Sequence, residues 1–182
     1  MRGFVGEIMT AMSISANRSD PAVAAALVVA AVGIATILGA YFFQYVLGVA
    51  PCPLCLDQRK VYYVAIPLAL IVALAAKAAS PRSLVVGGLA LVLVAMLVGA
   101  GIAIYHSGVE WKFWAGPQDC SGEITSFGNA GGLLDQMDKT SIVRCDQPQR
   151  FLGVSLANCN VVISLALAAI VLWGLRPQLA KR

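Results

Sequence analysis

The sequence is short of charge and of histidine. Only 12% of its 182 residues are charged, against about a quarter in an ordinary soluble domain. That is too little to cover a water-soluble globule, so a soluble fold is excluded. His106 is the single histidine, and a haem with two histidine ligands cannot be built within one chain. Neither G-x-G-x-x-G nor a P-loop occurs, which removes the usual cradles for dinucleotides and nucleoside triphosphates. The basic residues stand singly or in pairs rather than along one face, so the net charge of +4 is no nucleic-acid footprint. With no repeat and no low-complexity linker, one domain over residues 1–182 is expected.

Apolar residues are abundant, at 59%, and they are gathered into runs. Ala22–Leu47, Val61–Ala76, Leu84–Tyr105 and Phe151–Leu175 contain no charged side chain. At 1.5 Å per residue, runs of this kind cross a hydrocarbon core. The second is short, so its helix should begin before Arg59 and Lys60, whose side chains would snorkel to the interface. The expected fold is therefore all-α and integral to a membrane. It is a four-helix transmembrane bundle with helices over about 22–47, 57–76, 84–105 and 156–175, and loops over about 49–57 and 106–155. Pro67 should kink the second helix. Small residues at helical spacing, Gly33 with Ala40, Ala35 with Gly39 and Ala95 with Gly99, would let backbones approach closely. Trp111, Phe113 and Trp114 mark a membrane boundary. Leu133, Leu134, Met137, Ile142 and Val143 predict a short interfacial helix in the long loop.

Four spans put both termini on one side. That side carries Arg2, Arg18, Lys77, Arg82, Arg176, Lys181 and Arg182 in short segments. Arg59, Lys60, Lys112, Lys139, Arg144 and Arg150 are spread over the longer opposite loops. The positive-inside rule then favours cytoplasmic termini. Met1–Asp20 lacks the pattern of a cleavable leader, so the first apolar run should act as the insertion signal. In this orientation Cys52, Cys55, Cys120 and Cys145 face an oxidising compartment, where disulfides persist.

Cys52-Pro53-Leu54-Cys55 is a C-x-x-C unit, a spacing that serves thiol–disulfide exchange and also metal binding. Cys55 falls near a helix start, where the dipole favours an anion, so it should be the more persistent thiolate. Arg59, four residues on, shares a helical face with it. There Arg59 either marks the membrane boundary or stabilises a thiolate and a reduced quinone ring. Cys120 and Cys145 form either a structural staple or a second redox pair. Four thiolates could hold zinc, but the second pair is no C-x-x-C, and no metal centre is expected. Cys159 reads as an unpaired small hydrophobe. His106 reads as a structural interfacial residue, or as a hydrogen-bond or proton donor to a quinone. With nucleotide and haem set aside, a lipid-soluble quinone fits a membrane redox partner. The bland alternative is a non-catalytic membrane scaffold stapled by two structural disulfides.

Taken in order, Phe43-Gln44, Pro51-Cys52-Pro53-Leu54-Cys55 with Arg59, Tyr105-His106, Cys120, and Cys145 followed by Phe151-Leu152-Gly153 resemble the disulfide bond formation protein B (DsbB) family. The resemblance runs over nearly the whole chain. It implies a protein-dithiol:quinone oxidoreductase of the bacterial inner membrane, multi-pass, with cytoplasmic termini and periplasmic cysteine loops. It implies redox-active disulfides Cys52–Cys55 and Cys120–Cys145. Cys120 would take the mixed disulfide with a DsbA-like thioredoxin-fold partner, and Cys145 would exchange with Cys52. Cys55 would hand electrons to ubiquinone or menaquinone, with Arg59 and His106 beside the quinone. Pro53 inside the C-x-x-C and the extra Cys159 are departures from the common pattern, and neither removes a residue the chemistry needs.

Overall fold

The computed structural model of the chain describes residues 20–117, 144–147, 150–151 and 153–180. Four helices dominate: α1 (Pro21–Tyr41), α2 (Pro53–Lys77), α3 (Arg82–Glu110) and α4 (Leu156–Ala180). A π-helical turn, Phe42–Val46, continues α1. With that turn included, each of the four is long and apolar enough to cross a membrane. The fold is thus an all-α membrane bundle. A two-stranded antiparallel hairpin, β1 (Arg150–Phe151) with β2 (Val154–Ser155), leads into α4. The predicted interfacial helix over Leu133–Val143 lies outside the described residues.

Local chemistry sets the helix ends. Asp20 caps α1 by accepting the Ala22 N–H at 3.0 Å, and Pro21 follows at the first position, where a missing N–H costs nothing. Asp20 also accepts from Gln178 Nε2 at 3.2 Å, which ties the start of α1 to the end of α4. Helix α2 starts at Pro53, earlier than the charge pattern predicts, because Cys52 is its cap. Helix α3 runs five residues past Tyr105 to Glu110, so His106 sits inside a helix rather than in a loop. It ends in a Schellman turn: Lys112 takes φ 61°, and its N–H and that of Phe113 bond Val109 and Gly108 carbonyls at 3.1 and 2.9 Å. Helix α2 runs through Pro67, and α4 through Pro177.

Each helix packs on its neighbours in sequence and α4 closes on α1, while the diagonal pair α1 and α3 barely touch. Leu89, Val92 and Met96 of α3 meet Val29 of α1 and Leu167 and Val171 of α4 in the fully buried centre. Leu38, Val64, Leu74, Leu91 and Val162 point outward, as lipid-facing side chains do. Small residues set several of the close approaches. A Cβ on Gly33 would meet Ile66 at 2.9 Å, and one on Gly99 would meet Val61 at 3.3 Å. The Ala35/Gly39 pair is not such a contact, because Ala35 is exposed and nothing lies within 4 Å of a Cβ on Gly39. Helices α1 and α4 approach closely at Gly174, where a Cβ would lie 2.6 Å from Ala25 Cβ and 3.0 Å from the Pro21 carbonyl. Gly174→Leu is therefore expected to pry these helices apart and cost about 1–3 kcal/mol. A lowered thermal midpoint in detergent checks this, and an unchanged midpoint contradicts it.

Candidate redox site at the cysteine end of the bundle

Cys52 and Cys55 are built into the first turn of α2. Cys52 Sγ accepts the Cys55 N–H at 3.3 Å, so the sulfur itself satisfies a donor at the helix end. Pro53 fixes the backbone between them without needing a donor. The two thiols are free and their sulfurs lie 2.7 Å apart. Cys52 is buried, whereas Cys55 is only partly so. The hydrogen bond shared with Cys55, and then burial, push the Cys52 thiol far above its ordinary range. Cys52 therefore keeps its proton and donates to the Cys55 sulfur.

A buried hydrogen-bonded chain supports the pair from behind. Tyr62 donates to Asn160 Oδ1 at 2.6 Å and contacts Ser164 Oγ at 3.1 Å. Asn160 Nδ2 donates to Gln58 Oε1 at 2.6 Å, which leaves Gln58 Nε2 to donate to His106 Nδ1 at 2.8 Å. That direction assigns the imidazole proton to Nε2. Nε2 faces Cys52 Sγ at 3.6 Å and Glu110 Oε1 at 3.9 Å. The ring also reaches the Cys145 backbone. Cys145 is fully buried and disulfide-bonded, in one apolar cluster with Cys52, Leu54 and Val109. Cys120 lies outside the described residues.

On the other side of Cys55 a half-open, mainly apolar cavity of about 260 Å³ lies among α1, α2 and α4. Ile37, Ala40, Phe43, Pro51 and Ile163 supply apolar wall, and Cys55, Arg59, His106 and Asn160 supply polar atoms. Arg59 is held there by Gln44 Oε1 at 2.5 Å and by the Ala40 carbonyl at 3.3 Å, and it lies 5.5 Å over the Tyr41 ring. Among the described residues no carboxylate pairs with it. An apolar slot with a fixed cation and the Cys55 sulfur could hold a ring that gains negative charge on reduction. Cys159 lines the same cavity and is half-buried, so it is a wall residue rather than core filling.

Cys52, Cys55 and His106 offer three ligand atoms within 4.8 Å of one another. Tetrahedral ligands about 2.3 Å from zinc sit about 3.8 Å apart, so the 2.7 Å sulfur contact would have to open before an ion could enter. The contact as it stands suits disulfide closure.

The profile of the family described as "Disulfide bond formation protein DsbB" matches residues 22–174. The chain belongs to the DsbB family. Among its relatives, disulfide bond formation protein B of Saccharophagus degradans is 31% identical over 159 residues, 83% of this chain and 92% of the relative. Disulfide bond formation protein B 1 of Pseudomonas fluorescens (strain Pf-5) is 42% identical over 73 residues, 40% of this chain and 41% of the relative. An uncharacterized protein of Rickettsia prowazekii is 27% identical over 159 residues, 86% of this chain and 89% of the relative.

This DsbB-family fold gathers Cys52, Cys55, Arg59, His106 and Cys145 at one end of the bundle. It also gathers residues that sequence reading passed over: Gln58, Tyr62, Glu110 and Asn160. Gln58 had a visible signal, since it lies three residues after Cys55 on the helix and so on the same side. Asn160 had one too, as a lone amide in an apolar span.

Proposed function

We propose that this protein reoxidises a reduced thioredoxin-like dithiol partner of the DsbA type and passes the electrons to a membrane quinone, ubiquinone or menaquinone. The DsbA–DsbB–quinone route is a known means of keeping a periplasm oxidising, and family membership supports the reading here. The observation that carries it is the position of Cys55. Cys55 lines both the apolar cavity with Arg59 and a small cavity shared with Cys52 and Glu110. One residue thus joins loop thiol chemistry to an apolar binding slot.

In this reading the partner attacks a Cys120–Cys145 disulfide at Cys120. Cys145 then exchanges with Cys52, a step supported by their shared buried cluster. The exchange frees Cys55 as a thiolate. A bound quinone supplies the two-electron acceptor. Arg59, without an acidic partner among the described residues, would offset negative charge on a bound ring. His106, its proton on Nε2, steadies the Cys52 sulfur. The cysteine end faces the periplasm and the termini the cytoplasm, in the inner membrane.

The test is purified protein in lipid, given a reduced DsbA-type protein and quinone. Quinone absorbance should fall by one equivalent per partner dithiol oxidised. No loss of absorbance with either ubiquinone or menaquinone overturns the reading. So does labelling of Cys52 and Cys55 by a membrane-impermeant thiol reagent from the cytoplasmic side only.

A further inference from the structure

Closing a Cys52–Cys55 disulfide requires Cys52 to lose a proton. The groups around it make poor acceptors. His106 already carries its proton on Nε2, the atom that faces Cys52, because Gln58 donates to Nδ1. Cys55 is then the atom being bonded. One carboxylate remains. Glu110, one turn beyond His106 on α3, is only 8% exposed, and its Oε2 has no hydrogen-bond partner among the described residues. A buried carboxyl oxygen left unpaired is costly, so a positional reason is needed. Glu110 lines a cavity of about 20 Å³ together with Cys52, Cys55, His106, Arg144 and Gln147. The volume has room for a single water.

We propose that Glu110 is the proton acceptor for Cys52, reached through this small cavity. The proposal rests on Cys52 and Cys55 being the redox pair. The step concerns the reduced pair and is separate from the Cys145–Cys52 exchange: when a disulfide RSSR has reacted at Cys55 and left it in a mixed disulfide with RS, Cys52 Sγ attacks Cys55 Sγ and the new S–S bond forms. RS⁻ leaves with the electron pair of the broken bond, and the Cys52 proton passes to the Glu110 carboxylate. No other oxidant is consumed. Ser155 of β2 and Arg150 of β1 lie near Glu110 and partly offset the cost of burying its carboxylate. Arg144 faces the same cavity. His106 and the two cysteines are the other titrating groups around it. Glu110 acts on Cys52 through the cavity.

The test needs no quinone, so its failure is separable from failure of the proposed function. Full-length protein carrying Cys120→Ser, Cys145→Ser and Cys159→Ala, with the remaining pair reduced, is mixed with 2,2′-dithiodipyridine. Cys55 releases the first pyridinethione and closure by Cys52 releases the second. With Glu110 present, the second phase should slow as pH falls and the carboxylate is protonated. It should also slow in heavy water more than the first phase does. Glu110→Gln should slow the second phase by about 10²-fold, the low end for a positioned base, and abolish its acidic limb; Glu110→Asp should restore part of both. A Glu110→Gln protein with unchanged rate and limb overturns the proposal. So does one slowed equally at every pH with the limb retained, which is what a packing role would give. If Glu110→Gln does not fold, a Glu110 protein whose second phase shows neither an acidic limb nor a heavy-water effect overturns it.

Discussion

Cys55→Ala should stop quinone reduction altogether, to the background rate and by roughly 10³-fold or more, as removal of a nucleophile does. Cys55 is the sulfur on the wall of the apolar cavity, while Cys52 lines only the small cavity behind it. Without Cys55, no thiol of the redox pair borders the slot. The loop cysteines are untouched, so a reduced partner should still be oxidised once, to one equivalent per protein, and then stall. A second readout is independent of quinone. The shared hydrogen bond with Cys55 is the first cause of the raised Cys52 thiol. In the alanine variant that cause is gone, so more thiolate should be present at a given pH. Alkylation of Cys52 at mildly alkaline pH should then be faster than in the reduced wild type. Continued multiple turnover by the variant would remove Cys55 from the electron path.

The bundle was legible because uncharged runs long enough to span a bilayer have few other uses, and the four predicted spans fall within the observed helices or their π-helical extension except for Leu47, one residue past the first. What failed was the ends. Reading Tyr105 as the end of the third span put His106 and Glu110 into a loop, because a charged residue looks like the edge of an apolar run. The helix continues to Glu110 because the Schellman turn at Lys112 ends it, and the carboxylate is buried against Ser155. Cys52 as a helix cap could not be read either, since sulfur is a rare cap and Pro53 is equally at home in a turn. The chain from Tyr62 through Asn160 and Gln58 to His106 joins residues 48 to 102 apart in sequence. No local pattern announces such contacts; only the closed bundle, in which α2 packs on α3 and α3 on α4, brings them together. The C-x-x-C and Arg59 were legible because helical spacing alone places them on one side of α2.

Arg59→Met should weaken quinone use by about 10–100-fold, and the change should divide in an informative way. The guanidinium spends two donors on Gln44 and Ala40 and pairs with no carboxylate among the described residues. A cation in an apolar slot without a counter-charge is a liability to the fold. Methionine matches its length and removes that liability, so thermal stability should hold or rise while catalysis falls. If the charge serves chiefly where negative charge builds on the ring, kcat should drop more than KM rises. Arg59→Lys keeps a point charge but cannot hold Gln44, Ala40 and a ring oxygen from one planar fork, so it should fall between the two. Steady-state kinetics with varied quinone and a melting curve on the same preparations check both halves. Wild-type quinone kinetics in Arg59→Met would return this residue to a boundary marker. Loss of stability in proportion to activity would make it a structural residue of the α1–α2 contact.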